Sequence, residues 1–223
     1  MEQDLAVIAG ATIIMTHASA LNRTPQLDGP QVSLVPLSLE QVEALCRHSA
    51  DPSLWTWWIR EPPIEATVMR REVEAALASR DAGSRIPFAI YHRGRSEHIG
   101  STSLWNYDAK HRSIEIGSTW LGLAFHGMGI NRECKDLLFG YAFNDLGVNR
   151  VALQTDSLNL RSRRAIEKLG AQFEGIRRHD LITWAGRVRS SAYYSLLGDE
   201  WRTRTSGPPV PGRPETASSV LVR

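Results

Sequence analysis

The hydrophobic and polar positions of the chain fall into segments of period two, typical of strands, and segments of helical period. In residues 112–121 the side chains alternate, with Ile114 and Ile116 on one face, as in a half-buried strand. Residues 150–155 alternate in the same way. Between them an apolar stripe recurs at helical spacing and is formed by Ile130, Cys134, Leu137, Leu138, Tyr141 and Ala142. The pattern predicts a strand, helix, strand unit in which Gly147 ends the helix as a left-handed cap.

The same periodicities predict the elements of the remaining chain. The turn Arg93-Gly-Arg-Ser96 separates two alternating segments and indicates a hairpin, while Ser38 is expected to open a helix. Strands are therefore predicted over 32–37, 87–92, 98–103, 173–181 and 190–196, and further helices over 38–48, 64–80 and after Asn159.

The turn His126-Gly-Met-Gly-Ile-Asn131 leads from the first strand of this unit into its helix. Two glycines before a helix leave several backbone N–H groups pointing at one spot, which favours an anion site, although an ordinary tight turn has the same pattern. Two phosphate-binding templates do not fit. A Walker loop needs Gly-Lys-Ser/Thr where Gly129 is followed by Ile130, and a dinucleotide fingerprint needs glycine or alanine at Arg132.

Composition is that of one enzyme-sized globular unit. The 223 residues include 42% hydrophobic and 22% charged ones, and the net charge of +2 is too small to argue for a nucleic-acid partner. Of the two cysteines, Cys134 lies on the predicted core face of a helix, which indicates reduced thiols and a cytoplasmic location. The seven histidines lack paired ligand spacing, so no metal is predicted.

The two ends differ from the rest of the chain. The apolar run 5–15 resembles a signal peptide only distantly, since acidic residues precede it and it is too short to span a membrane. An extra packed element or a flexible leader is expected instead. The tail is rich in Pro, Ser, Thr and Gly, which favours disorder. The predicted organisation is a partly ordered extension over 1–30, a folded domain over 31–202 and a disordered tail over 203–223.

A third phosphate template fits the glycine turn. The spacing Gln/Arg-x-x-Gly-x-Gly/Ala after a strand is the acetyl-CoA pyrophosphate loop of the GNAT acetyltransferases, and the turn resembles it with His126 and Asn131 as substitutions at its two ends. The segment 159–171, Asn-Leu-Arg-Ser-Arg-Arg-Ala-Ile-Glu-Lys-Leu-Gly-Ala, resembles the family's second motif. The resemblance runs from about Val32 to Trp201 and is nearest to the Rim-type branch, which includes ribosomal-protein N-terminal acetyltransferases.

The resemblance implies an α/β GNAT fold: a mixed central sheet of about seven strands, splayed between its fourth and fifth strands and flanked by about four helices. Acetyl-CoA would enter at the split as co-substrate, without a metal, a membrane or a nucleic-acid partner. A homodimer is also compatible, because dimers are common among Rim-type relatives. The implied cofactor-binding residues are Trp120, Leu121, His126, Gly127, Met128, Gly129, Ile130, Asn131, Asn159 and Arg164.

These residues have individual roles in the resemblance. Backbone N–H groups near Trp120 and Leu121 would hold the thioester carbonyl. Arg164 would contact the ribose phosphate, or else belong to a solvated helix face with Arg161 and Lys168. His126 would contact the cofactor, or else be a capping or exposed histidine.

The predicted chemistry is direct attack of an amine on the acetyl thioester. Many family members protonate the departing thiolate with a tyrosine, but the matching position is Ile166, which cannot donate. In Rim-type enzymes a serine is thought to serve, and Ser162 matches it; the alternative is a small packing residue bonded to its own helix. Glu115 resembles the glutamate that this branch uses through a water, or else pairs with an Arg or His of a neighbouring strand.

The acceptor amine must arrive neutral. An α-amino group with a pKa near ~7.8 is roughly 10–15% neutral at pH 7, whereas a lysine near ~10.4 is neutral in only about 4 molecules in 10,000. An N-terminal acceptor therefore demands less of a base. A carboxylate with an ordinary pKa near ~4.3 would need burial to act directly as that base.

Residues for acceptor recognition are less clearly marked. The cluster of Trp55, Trp57 and Trp58, with Tyr107, either walls an acceptor cleft or covers one end of the sheet. We take Trp57, Trp58 and Tyr107 as the substrate-binding candidates. No acidic cluster marks a strongly cationic substrate. A protein N-terminus, a small amine, an amino acid and an antibiotic all remain open as acceptors. If the basic residues Arg60, Arg70 and Arg71 face the cleft, they disfavour a strongly cationic acceptor.

Two other classes of function are compatible with the sequence. A non-catalytic acetyl-CoA-binding module would explain Ile166 and Asn131, and would bind the cofactor without releasing free thiol. A basic-helix protein that contacts RNA or the ribosome through residues 161–168 would show strongly salt-dependent RNA binding without acetyl-CoA.

Overall fold

Residues 24–206 are described by the computed structural model, and their strands all belong to one sheet. The strands are β1 Leu27–Asp28, β2 Val32–Pro36, β3 Arg85–His92, β4 Glu97–Asp108, β5 Ser113–Leu121, β6 Arg150–Asp156, β7 Gln172–Ile182 and β8 Val188–Leu197. The α-helices are α1 Val42–Ser49, α2 Ala66–Asp81, α3 Ile130–Gly140, α4 Leu160–Glu167 and α5 Gly198–Ser206.

The sheet order is β1-β2-β3-β4-β5-β6-β8-β7. Every neighbouring pair is antiparallel except β5 and β6, which are parallel and are connected through α3. Their pairing begins at Ser113 with Arg150 and ends at Ile116 with Leu153. Beyond that point β5 continues to Leu121 without β6 at its side, so the sheet opens into a split.

Two apolar cores lie on the two faces of the sheet, and β5 contributes to both. Ile114 and Ile116 join the core that includes α3, α4 and Trp201 of α5. Trp120 joins the other core, which includes residues of α1 and α2. The predicted alternation of β5 is confirmed from Ser113 to Gly117. A bulge at Ser118 then places Trp120 on the opposite face, so the strand is anchored from both sides.

The predicted mixed sheet and its split are confirmed, and the counts change slightly. The predicted fourth and fifth strands become β5 and β6, because the two-residue β1 precedes them. Helix α5 was not predicted. The described residues therefore contain five α-helices, where the sequence predicted about four. Its residues 203–206 are helical where the sequence predicted the start of a disordered tail. The apolar run 5–15 and the tail beyond 206 lie outside the described residues.

The helix after the glycine turn also differs in detail from its prediction. The α-helix ends at Gly140, and a π-helical turn, Tyr141–Asp145, continues it. Gly147 then adopts a φ of 64°, the left-handed conformation expected of the cap.

Candidate active site

The split gives β5 an edge without a strand partner at its carboxyl end. From Gly117 to Leu121 one side of the strand still pairs with β4, while the side facing β6 is open. The register between β4 and β5 shifts in this stretch, and Ser118 lies at the shift with a φ of 49°. Such a bulge bends a strand and redirects its neighbouring groups. Trp120 and Leu121, predicted to hold an acyl carbonyl, therefore lie at the mouth of the split.

The glycine turn follows directly after β5. A short 3-10 turn, Leu123–Phe125, leads to Gly127 and Gly129, whose φ values of 80° and 83° are left-handed. This conformation strongly favours glycine. Gly129 is the N-cap of α3 and has no side-chain cap.

The amides of this turn are available to a ligand. The N–H groups of residues 127–132 donate to no acceptor within residues 24–206. Three of the six open the first turn of α3, where helical geometry leaves them unpaired. Met128 is 46% exposed, so the turn faces outward. Consecutive unpaired amides at the positive end of a helix dipole fit a diphosphate.

His126 is engaged by the protein. Its Nε2 lies 2.9 Å from the carbonyl oxygen of Leu121, and its Nδ1 lies 3.0 Å from a guanidinium nitrogen of Arg161. Because the carbonyl can only accept and the guanidinium can only donate, the ring is neutral with its proton on Nε2. Burial lowers the pKa of His126, and the Arg161 charge adds to this effect. The ring thus joins the end of β5 to the start of α4.

Helix α4 lies beyond the other side of the split, after β6. The side chain of Asn159 accepts the backbone N–H of Ser162 at 3.1 Å and caps the helix. The hydroxyl of Ser162 is half-buried and has no partner among the residues described. Arg164 is exposed, whereas Ile166 is buried in the core.

Glu115 is held by two side-chain amides. Gln154 of β6 donates to its Oε1 at 2.8 Å, and Asn106 of β4 donates to its Oε2 at 3.3 Å. The alternative from the sequence, an ion pair with an Arg or His, is not found in this part of the chain. Sequence reasoning missed Asn106 and Gln154, because only the cross-strand register brings them to Glu115.

Comparison with known proteins decides the family. A family model for the acetyltransferase (GNAT) domain matches residues 31–172. The chain belongs to the GNAT acetyltransferase family. It is similar to YdaF of Bacillus subtilis (strain 168), whose name is that of a ribosomal N-acetyltransferase, with 39% identity over 102 residues, 46% of this chain and 55% of that protein. The chain spans about half the length of the curated relatives it matches.

Two solved structures show the same GNAT fold. A GCN5-related N-acetyltransferase from Brucella melitensis superposes with a TM-score of 0.76 and 26% identity, covering 82% of this chain and 83% of that one. A protein of T. thermophilus that is named as an acetyltransferase gives a TM-score of 0.72 and 32% identity, covering 81% of this chain and 93% of that one.

In this GNAT domain the tryptophan cluster packs tightly beside the split. The ring of Trp55 lies 5.1 Å from that of Trp58 and 5.3 Å from that of Trp120. The backbone N–H of Trp184, at the tip of the β7–β8 hairpin, donates to the carbonyl of Trp58 at 2.9 Å. The ring of Trp57 lies 5.4 Å from the guanidinium of Arg187. Loop and hairpin thus meet on one side of the GNAT split.

Tyr107 does not join this cluster. It packs against the core on the α3 face of the sheet, whereas Trp58 packs against the opposite core. A bulge explains the difference, because Asn106 has a φ of 53° and the register of β4 shifts between Trp105 and Asp108, which changes the alternation before Tyr107. Of the three residues predicted to bind the acceptor, Trp57 and Trp58 therefore lie together, and Tyr107 lies apart from them.

The first turn of α3 is tied to the start of β2. The carboxylate of Glu133 accepts the backbone N–H groups of Gln31 and Val32 at 2.8 and 3.1 Å, and the side-chain amide of Gln31 at 3.0 Å. These contacts hold the start of α3, directly after the glycine turn, against β2. They were not predicted from the sequence.

Within residues 24–206 no cluster of three His, Cys, Asp or Glu side chains is placed to hold a metal. Among the same residues no helix has both the length and the apolar character needed to cross a bilayer.

Proposed function

We propose that the chain is an acetyl-CoA-dependent N-acetyltransferase that moves an acetyl group to a primary amine, a protein N-terminus or a small amine, by direct attack in a ternary complex. The observation that carries the proposal is the row of unpaired amides at 127–132 beside the open edge of β5. The similarity to YdaF, named as a ribosomal N-acetyltransferase, supports an amine of a ribosomal component as the acceptor.

The residues of the turn would hold the cofactor's diphosphate. Gly127 and Gly129 let the backbone approach a phosphate closely, and the α3 dipole favours its charge. The backbone of Trp120 and Leu121 would orient the acyl carbonyl along the open edge of β5. Acetyl-CoA, when bound, supplies the acetyl group as a thioester.

Glu115 is proposed to receive the proton of the amine through a water. Its carboxylate is oriented by Asn106 and Gln154 and faces the α1–α2 side of the sheet, away from Ile114 and Ile116. Ser162 is proposed to donate a hydrogen bond to the departing thiolate, because its hydroxyl is not used by the described protein. Positioned proton transfer of this kind contributes on the order of 10²-fold or more to a rate.

The experiment is a thiol-release assay with the full chain, acetyl-CoA and a panel of amines. We expect Glu115→Gln and Ser162→Ala to lower kcat by roughly 10²-fold, with acetyl-CoA binding by calorimetry largely kept. Glu43→Gln, on the exposed face of α1, is the matched control and should retain full activity. Full turnover by both variants would contradict the assigned roles. Mass spectrometry of lysate peptides after incubation with labelled acetyl-CoA would identify the acceptor.

One observation favours a second candidate, a non-catalytic acetyl-CoA-binding module. Ile166, at the position where many relatives have a tyrosine, is buried in the core and cannot donate a proton. This candidate predicts acetyl-CoA binding in calorimetry with no thiol release for any amine.

A further inference from the structure

A basic recess lies between helices α1 and α2 and the sheet, on the same face as Trp120. Its walls include Trp58, Arg60, Glu72, Arg85, Ser118 and Trp120. Ser118 and Trp120 belong to the stretch of β5 that borders the split, so the recess adjoins the place proposed for the acyl group.

Arg85 is the most unusual residue of this recess. It is only 6% exposed, yet no carboxylate within the described chain forms an ion pair with it. Its Nε donates to the Ser103 hydroxyl at 2.8 Å, and its guanidinium lies 4.3 Å from the centre of the Trp105 ring. The two terminal nitrogens donate to no described acceptor. Buried charges are normally paired, because desolvation penalises them otherwise.

The charges around Arg85 make the recess positive. Burial and, after it, the Arg60 charge lower the pKa of Arg85 to about 9, and the Glu72 charge offsets only part of this effect. Arg60 itself lies 3.2 Å from the Glu72 carboxylate. Glu72 thus pairs with Arg60 and leaves Arg85 without an ion-pair partner among the described residues.

A neutral donor points into the same region. The indole Nε1 of Trp58 is buried and has no hydrogen-bond partner among the described residues. The guanidinium of Arg60 lies 5.5 Å from the Trp58 ring, and one of its nitrogens lies 3.4 Å from the Ser118 hydroxyl. The recess is therefore lined by unsatisfied N–H donors of a charged guanidinium and of a neutral indole. An oxygen anion bound there would satisfy them.

The recess is aligned with the proposed base. Arg85 of β3, Trp105 of β4 and Glu115 of β5 are direct partners in the sheet register and share one face. Two strand spacings separate Arg85 from Glu115, which is about 10 Å between backbones. Gly117 lies beside Trp105 and Glu115, and its lack of a side chain lets the Trp105 ring pack close to β5. An acceptor carboxylate held at the open side of the basic recess would therefore lie on the same face of the sheet as Glu115.

We propose that the basic recess binds a carboxylate of the acceptor, so that the preferred substrate is an amine whose own molecule carries an acid group a few bonds away. This inference rests on the proposed acetyltransferase function and narrows its substrate class. A free amino acid and a protein N-terminus with an acidic residue nearby both have this chemistry.

The test compares two peptides of equal length, Ala-Asp-Ala amide and Ala-Asn-Ala amide, in the thiol-release assay. Their N-terminal amines are equivalent, and only the first has a carboxylate. We expect kcat/KM to be about tenfold or more higher for the Asp peptide, since hydrogen bonds to charged groups are worth about 1.5–3 kcal/mol. Free alanine is the third acceptor. A preference for alanine over the Asp peptide assigns a free amino acid, and the reverse assigns a protein N-terminus.

Two variants test whether the preference for the Asp peptide arises in the basic recess. Arg85→Met keeps the length and apolar stem of the side chain, and Arg60→Ala changes a partly exposed position that folding should tolerate. Each should bring the Asp-to-Asn ratio towards one. Arg71→Ala is the matched control, because Arg71 is exposed and pairs with Glu61 outside the recess, and it should keep the ratio.

The outcomes separate this inference from the proposed function. Acetylation of both peptides at equal efficiency by the unaltered protein would overturn the carboxylate site and leave the acetyltransferase intact. An unchanged preference in both Arg85→Met and Arg60→Ala would also overturn it. Absence of thiol release with any amine would instead contradict the proposed function.

Discussion

Two glycines decide the geometry of the turn that would hold the diphosphate. Gly127 and Gly129 have left-handed φ values, but an added Cβ would meet no protein atom closer than 4.0 Å at Gly129 and none within 4 Å at Gly127. Glycine is therefore favoured at these two positions by the backbone conformation and by the close approach of a ligand. Packing against the protein does not demand glycine at either position.

We expect Gly127→Ala and Gly129→Ala each to cost roughly 1–2 kcal/mol of folding stability and to weaken acetyl-CoA binding strongly, because the turn must distort and a methyl group must stand near the phosphates. Gly83→Ala is the control, since Gly83 has a φ of 71° and equally open surroundings in the loop after α2. It should lose comparable stability and keep its affinity. Calorimetric titration with acetyl-CoA measures the difference, and equal affinity in all three variants would reject the site.

At this scale the sequence was informative where backbone conformation depends on residue type. Gly147 was predicted to be a left-handed cap, and the two glycines of the turn were predicted to leave backbone N–H groups exposed; all three have positive φ. The contacts of His126 were not predictable, because they join Leu121 to Arg161 across the split. The role of Arg85 was equally hidden, since nothing local marks an arginine as buried.

At the scale of an element, Asn159 at the start of helix α4 fits two different roles. Family resemblance implies that Asn159 contacts the cofactor, whereas its side chain accepts the Ser162 N–H and caps the helix. The cap holds the first turn in which Ser162 lies, so Asn159 would act on the proposed site through the helix.

Asn159→Ala should destabilise the protein by about 1 kcal/mol, the usual value of an N-cap, and Asn159→Asp should restore it. Urea unfolding measures both changes. Acetyl-CoA affinity distinguishes the roles, because an aspartate in contact with phosphate would weaken binding through like charge. Loss of affinity in Asn159→Asp with restored stability would therefore argue for direct cofactor contact.

The longer strands and helices were predicted from their hydrophobic periodicity. The elements that were missed are short or have a weak hydrophobic pattern. β1 has two residues, and α5 buries mainly Trp201 while Arg204 binds the carbonyl of Leu169 and the carboxylate of Asp136. Such elements form through tertiary contacts that no local pattern contains.

On the scale of the whole molecule, two cores separated by a sheet still bury several charged side chains, and Lys135 is one of them. Lys135 of α3 is buried, and its Nζ donates to the Thr119 hydroxyl of β5 at 2.5 Å. Burial lowers the pKa of Lys135 to about 8 from 10.5. The folded state therefore disfavours the charged amine, which is a cost at neutral pH.

Lys135→Met should raise the free energy of unfolding at pH 7 by up to about 3 kcal/mol, the equivalent of this pKa shift. The sign follows from proton binding. Between pH 8 and 10.5 the unfolded chain holds more protons than the folded one, so the unaltered protein gains stability as pH rises and the advantage of the variant shrinks. Urea unfolding at pH 7 and pH 10 checks both points. The Thr119 hydroxyl keeps Thr102 as a partner in the variant. A variant less stable at pH 7 would contradict the prediction.

The two rims of the sheet differ from its interior in a way that bears on self-association. One rim is β1, too short to template a neighbour, and the other is β7, whose pairing with β8 shifts twice and whose His179 has a φ of 51°. A second chain arriving edge-on would find its hydrogen-bonding groups out of step after a few residues. Strand addition is thereby disfavoured at both margins of the described sheet, even though the β5–β6 opening exposes unpaired backbone in its middle.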